Sequence, residues 1–184
     1  MALSEHLELP VRIRPARVSD APLFRSWRAE SSVRRFQPLR DVALSQIRND
    51  VASQNIDDLY HARGERFQWV VEAGGCPAGW ITLVVGNWEH GLCETGFALT
   101  TEYQGRGVMT HALTVLLPEL FFNTQIRRVE ARCAVENIAS IRVLEKVRFK
   151  REGVLRGYFL LHGRRVDHYL YAVLRDDFVP QHDD

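Results

Sequence analysis

The chain has 184 residues, 46% of them hydrophobic and 26% charged, so a single domain with its own core is expected, without disulfide or metal staples. The formal net charge of +1 is too small a field to point to nucleic acid or an acidic membrane surface, and it gives no push toward the ribosome. Of the 24 basic residues only Lys146 and Lys150 are lysine; this reads as genome composition, because a guanidinium-rich anion site would need clustering that the sequence does not display.

Cys76, Cys93 and Cys133 are widely spaced and form no CxxC pair, which argues against a disulfide framework or zinc site and fits a reducing cytoplasm. The opening MALSEHLELP has acidic residues and lacks the apolar run of a signal peptide. No stretch reaches the ~20 apolar residues of a membrane span. The most apolar run, residues 115–122, contains Pro118 and Glu119. The seven histidines have no metal-ligand spacing, so no metal is expected.

In chain order, residues 11–14 alternate apolar and basic and predict a strand. Ser19 offers an N-cap and Pro22 suits a first turn, so a helix carrying Leu23, Phe24 and Trp27 is expected to run to about Glu30. A second helical region follows Asp41, with Val42, Ile47, Val51 and Ile56 on a rough apolar face. The period then changes. "FQWVVEAGGCPAGWITLVV" predicts a hairpin turning at Gly74-Gly75, and "LCETGFALT" a third strand beyond the turn "NWEHG". Gly96 inside that strand suggests a bulge or a close backbone approach. A helix over about 108–122, a strand over 127–135, a short helix in "NIASIRVLEKV" and a terminal hairpin around His162-Gly163 follow. This order predicts a mixed α/β (α+β) sheet, with a right-handed crossover joining two parallel strands within residues 92–135.

Between strand and helix stands Gln104-Gly105-Arg106-Gly107. The first N–H groups of a helix have no internal partner and, with the helix dipole, favour an anion. Glycines remove the side chains that would hold phosphate oxygens away. The loop therefore reads either as a phosphate or pyrophosphate cradle or as a plain strand-to-helix turn. A nucleoside-triphosphate loop would need GxxxxGK[ST], which is absent. A dinucleotide fingerprint would need a third glycine where Thr110 stands, after a first strand rather than a meander.

Some 30 residues downstream lies "ENIASIRVLEKVRF". Together the two stretches resemble the GNAT superfamily of acetyl-coenzyme A-dependent N-acetyltransferases, most nearly its RimJ/RimL-type branch. Gln104, Gly107 and Met109 occupy the signature Q/R-x-x-G-x-G/A, with methionine at the small-residue position. Asn137, Ser140, Glu145, Lys146 and Phe149 match the second signature, with Arg148 where a glycine is usual. "GWITL" and "ETGF" are similar to the family's third and fourth strands, and the likeness spans residues 11 to about 174.

The resemblance implies a single N-acetyltransferase domain over residues 1–184, with its core at about 11–175. Its sheet would be mostly antiparallel, with a splayed parallel pair at strands four and five and helices on both sides. Acetyl-coenzyme A would be the co-substrate. Its pyrophosphate would lie on Gln104, Gly105, Arg106, Gly107, Val108 and Met109, with Thr110 nearby. The pantetheine arm would pair with Phe97, Ala98 and Leu99, beside a bulge to which Gly96 is suited, and would meet Asn137. Ser140 would attend the departing thiolate, and Glu94 is the first candidate for the base. Trp27 and Phe36 would line the wall of the acceptor pocket, with Arg34 and Arg35 at its rim. The acceptor would be a primary amine, on a protein N-terminus, a ribosomal protein's among them, or on a small molecule. Assembly as a homodimer is implied as well. A non-catalytic coenzyme A-binding module of the same fold, or an enzyme using another acyl-coenzyme A, is the alternative.

Overall fold

The computed structural model describes residues 9–178. Seven strands form one sheet in the order β1-β2-β3-β4-β5-β7-β6: β1 Val11–Pro15, β2 Arg66–Ala73, β3 Cys76–Asn87, β4 Leu92–Leu99, β5 Arg128–Ala134, β6 Lys150–Leu161 and β7 Arg164–Leu174. Neighbours pair antiparallel everywhere except β4 and β5, which run parallel as the strand–helix–strand order predicts. That parallel ladder is short. It matches Leu92, Cys93 and Glu94 with Arg128, Val129 and Glu130, and then the two strands part.

Six helices are described: α1 Ala21–Ala29, α2 Ser31–Arg34, α3 Leu44–Ala52, α4 Ile56–Tyr60, α5 Val108–Asn123 and α6 Ile138–Lys146. The N-cap of α1 is Asp20 rather than Ser19, after a single 3-10 turn. The Asp20 carboxylate does not cap α1; it accepts from Arg14 and from the Arg17 N–H at 2.7–2.9 Å and ties β1 to the turn. The helical region after Asp41 is two helices, because Asn55 starts a new one by accepting from the Asp57 N–H at 3.2 Å.

Each face of the sheet buries its own cluster. On one, α5 lays Leu113, Leu116, Leu117, Leu120 and Phe121 against Val71, Ile81, Leu83, Val129 and Ala131. On the other, Phe24 and Trp27 of α1 and Ile47 and Val51 of α3 cover Val70 and Trp80. The indoles of Trp27 and Trp80 stack at 6.0 Å with planes 10° apart. Burying side chains of this size contributes about 1.5–3 kcal/mol each.

Gly96 departs from its sequence reading. β3 and β4 keep an unbroken register through it, with Thr82 opposite, and a Cβ there would meet nothing within 4 Å. The irregularity in that pair lies between Val85 and Asn87. The close backbone approach belongs to Gly79, whose Cβ would fall 2.2 Å from the Ala98 carbonyl oxygen. The parallel strands therefore part after Glu94 with no bulge at Gly96 of β4.

Candidate functional site

The C-terminal ends of the parallel pair point the same way, and a helix begins beyond each. Crevices outside the carboxyl ends of parallel strands are where open α/β sheets gather ligands. Beyond β4, a 3-10 turn at Thr101–Tyr103 leads through Gln104 into the glycine loop and α5. Gly105 and Gly107 have φ of 74° and 75°, in the left-handed region that favours glycine. Gly107 is the N-cap of the 16-residue α5, and no side chain caps it. The first intrahelical bond is His111 N–H to the Gly107 carbonyl, so the amides of Val108, Met109 and Thr110 stand at an open helix start. A Cβ on Gly105 would meet nothing within 4 Å, which leaves room for a bulky anion. Met109 keeps its backbone in this turn while its side chain is buried, so the larger residue is housed in the core.

Beyond β5, Asn137 caps α6 by accepting from the Ser140 N–H at 3.2 Å. Asn137 and Ser140 are half-buried, and the Ser140 hydroxyl neighbours the Cys133 thiol. Burial pushes that thiol up, and the hydrogen bond with Ser140 works against the rise. Arg148, after α6, has φ of 72°: it adopts the left-handed conformation usually given to glycine. Its guanidinium donates to the Asp177 carbonyl at 2.7 Å and lies over Phe178.

Past Glu94, side chains satisfy the carbonyls of β4. Gln37 Nε2 donates to the Phe97 carbonyl at 3.0 Å, and Gln104 Nε2 to the Leu99 carbonyl at 2.9 Å. Glu94, the last residue of β4 paired with β5, forms an ion pair through Oε2 with Arg132 of β5. Arg132 also reaches Glu130 at 3.4 Å and lies over the Tyr158 ring. Burial alone would lower the Arg132 pKa, but the hydrogen bond and charge of Glu94 raise it on balance. Arg128 continues the ladder to Glu130 and Glu152. Neither Gln37 nor Arg132 stood out in the sequence. Both act across gaps of 38 or more residues, and no local pattern marks such partners.

Trp27 lies in the core under Trp80, only 4% exposed, so it backs the acceptor side rather than facing it. Phe36 is half-buried beneath the Arg35 guanidinium, 4.9 Å away. The open wall is α2 and its flanks. A cavity of about 570 Å³ lies between Ser31, Ser32, Arg34 and Arg35, Thr101 after β4, and His162 at the β6–β7 turn. Ser32 Oγ and Thr101 Oγ1 share a hydrogen bond of 2.9 Å, which joins α2 to the end of β4. Among the described residues, no group of three or more His, Cys, Asp or Glu is placed to hold a metal ion, and no helix is long and apolar enough to cross a membrane.

Known proteins share this arrangement. The sequence profile of the Acetyltransferase (GNAT) domain matches residues 11–150. An uncharacterized N-acetyltransferase p20 of Bacillus licheniformis is 28% identical over 171 residues, covering 91% of this chain and 94% of that protein. The spermidine N(1)-acetyltransferase of Escherichia coli K12 is 28% identical over 131 residues, 69% of this chain and 70% of its own length. The ribosomal protein uS5-alanine N-acetyltransferase of the same organism is 31% identical over 88 residues, 48% of this chain and 45% of its own. Among solved structures, Mycobacterium smegmatis RimJ in complex with CoA-disulfide superposes with a TM-score of 0.78 at 26% identity, over 94% of this chain and 87% of that one. With the profile covering most of the chain and the glycine loop, the parted parallel strands and the second helix start in their expected order, the chain belongs to the GNAT acetyltransferase family.

Proposed function

We propose that the protein transfers the acetyl group of acetyl-coenzyme A to a primary amine by direct attack in a ternary complex, either on a protein N-terminus or on a small molecule. The observation that carries this reading is the end of β4–β5 pairing at Glu94, with an uncapped, glycine-led helix start beyond the end of β4. Acetyl-coenzyme A supplies an acetyl thioester. In this reading Gly105, Gly107, Val108, Met109 and Thr110 hold its phosphates through backbone amides, with Gln104 and Arg106 at the loop's edge. The pantetheine arm lies along Phe97, Ala98 and Leu99 and meets Asn137.

Amide formation needs an unprotonated amine, a stabilised carbonyl oxygen and a partner for the thiolate. The amine nitrogen bonds to the acetyl carbon, the carbon–sulfur bond breaks, and the pair of electrons leaves on sulfur. Glu94 takes the proton lost by the amine, its direction fixed by Arg132. Ser140 donates to the departing sulfur. A reducing cytoplasm suits the three unpaired thiols.

The test follows thiol release from acetyl-coenzyme A with N-terminal peptides and small amines. Turnover is expected on at least one class, with Glu94→Gln and Ser140→Ala each reducing kcat about 10²–10⁴-fold. Tight coenzyme A binding without turnover on any amine would instead identify a sensor of the same fold.

A further inference from the structure

We propose that the acceptor amine carries a carboxylate, which docks on Arg34 and Arg35 in the cavity between α2 and the β6–β7 turn. This rests on the amine-acetyltransferase reading and names its substrate class.

The lining holds two arginines, a histidine and three hydroxyl side chains, Ser31, Ser32 and Thr101, and no carboxylate. The acids nearest in the chain are already engaged. Glu30 Oε2 accepts from the Thr101 N–H at 3.0 Å and from Thr101 Oγ1 at 3.1 Å. Asp41 pairs with Arg34 Nη2. Arg34 is held as a fixed fork, since its Nε also donates to the Arg28 carbonyl at 2.9 Å. Its Nη1 has no protein partner among the described residues. The exposed Arg35 guanidinium rests on Phe36 and has no hydrogen bond or ion pair among the described residues. His162 is exposed at the hairpin tip, with φ of 48°.

A guanidinium fork with free donors binds carboxylate through short charge-assisted bonds, whereas a polyamine brings like charge to the same wall. The cavity also adjoins the chemistry. Thr101 opens the turn just past the end of β4, Gln104 Nε2 lies 3.5 Å from Ser32 Oγ, and Gln37, three residues beyond Arg34, holds the Phe97 carbonyl. An amine seated at β4 would project its substituent past α2.

Two sources supply the same chemistry: an acidic side chain near a peptide N-terminus, or the carboxylates of a free amino acid. The experiment measures kcat/KM by thiol release from acetyl-coenzyme A with the full chain. Its acceptors are a peptide with Asp or Glu at positions two and three, its Asn/Gln counterpart, free aspartate, and spermidine. The acidic peptide, free aspartate or both are expected to exceed the neutral peptide and spermidine by about 10-fold or more, and whichever arm responds identifies the source.

In an Arg34→Gln/Arg35→Gln double variant this preference should fall about 10- to 100-fold through KM for the acidic acceptors, with a much smaller change for the neutral peptide and for the KM of acetyl-coenzyme A. Arg35→Gln alone, at an exposed position, is expected to give a smaller loss in the same direction if the double variant does not fold. Acidic peptide and free aspartate both used no better than the neutral peptide, a preference for spermidine, or a raised acetyl-coenzyme A KM with every acceptor would overturn the proposal. In those cases the enzyme still acetylates amines. Absence of turnover on all four acceptors and a wider amine panel removes the parent reading, and this one with it.

Discussion

Gln37 donates its side-chain amide to the Phe97 carbonyl at 3.0 Å, just where β4 is no longer paired with β5. The residue belongs to the acceptor-side segment, yet the carbonyl belongs to the edge along which we propose the pantetheine arm lies. The side chain and the arm therefore compete. Gln37→Ala is expected to tighten acetyl-coenzyme A binding by about 2- to 10-fold, the equivalent of one net hydrogen bond. Isothermal titration reads this directly; weaker binding would mean that Gln37 orders the strand for the ligand instead.

Two glycines separate tolerance from intolerance within the same pair of strands. Gly79→Ala puts a methyl 2.2 Å from the Ala98 carbonyl oxygen and 2.8 Å from Leu99 Cα, both backbone atoms that cannot swing aside. Destabilisation of about 3 kcal/mol or more is expected in denaturant unfolding. Gly96→Ala meets open space and is expected to change stability by no more than about 1 kcal/mol, with a gain favoured by the reduced freedom of the unfolded chain. A lowered kcat/KM in this stable variant would indicate that ligand passes over Gly96.

These two positions mark how far the sequence could be read. Strand and helix periods located β2, β3, β4, β5, α6 and the last hairpin, because each repeats its apolar pattern, whereas α5 is apolar nearly all round and is placed by the glycine loop that starts it. The glycine loop and the Asn137 cap were legible because a helix start imposes local chemistry. Gly79 and Gly96 look alike in sequence; only the cross-strand distance to Ala98 tells them apart. The same holds for Trp27, whose indole could face a pocket or a core until Trp80 is placed against it. The Glu94–Arg132 pair and the α2 cavity arise from chain segments far apart in sequence, and neither leaves a periodic trace.

Arg148 adopts a glycine-like φ of 72°, and that conformation costs an L-residue about 1–2 kcal/mol. Its bond to the Asp177 carbonyl and its packing over Phe178 offset part of that cost. Arg148→Gly, which relieves the strain and loses these contacts, is expected to lie within about 1 kcal/mol of the parent. Arg148→Val removes the contacts and worsens the strain, so a loss of about 2–3 kcal/mol is expected. Thermal and denaturant midpoints of the two variants give the comparison, and equal losses would place the whole effect in the side-chain contacts.

The acid side of the stability profile should be set in large part by Asp20. Burial tends to raise its pKa, but the hydrogen bond from Arg14, the Arg17 N–H and the charges of both arginines outweigh burial and hold the carboxyl below its ordinary range. A folded-state value depressed below the unfolded value of about 3.9 stabilises the protein fully above that pH. The stabilisation is lost as pH falls through the lower folded value, because the unfolded chain takes up the proton first. Asp177 is shifted in the same direction: burial opposes the shift, and the Lys150 bond and the Leu174 N–H produce it. Asp20→Asn should therefore cost about 1–3 kcal/mol at pH 7 by leaving Arg14 with Glu72 as its remaining partner. The gap between variant and parent should narrow as pH falls below about 4, with Asp177, and Glu152 held down by its bond from Arg128, supplying the slope that remains. Denaturant midpoints at several pH values between 7 and 3 check this, and a gap that stays constant across the range would remove Asp20 as the source of the pH dependence.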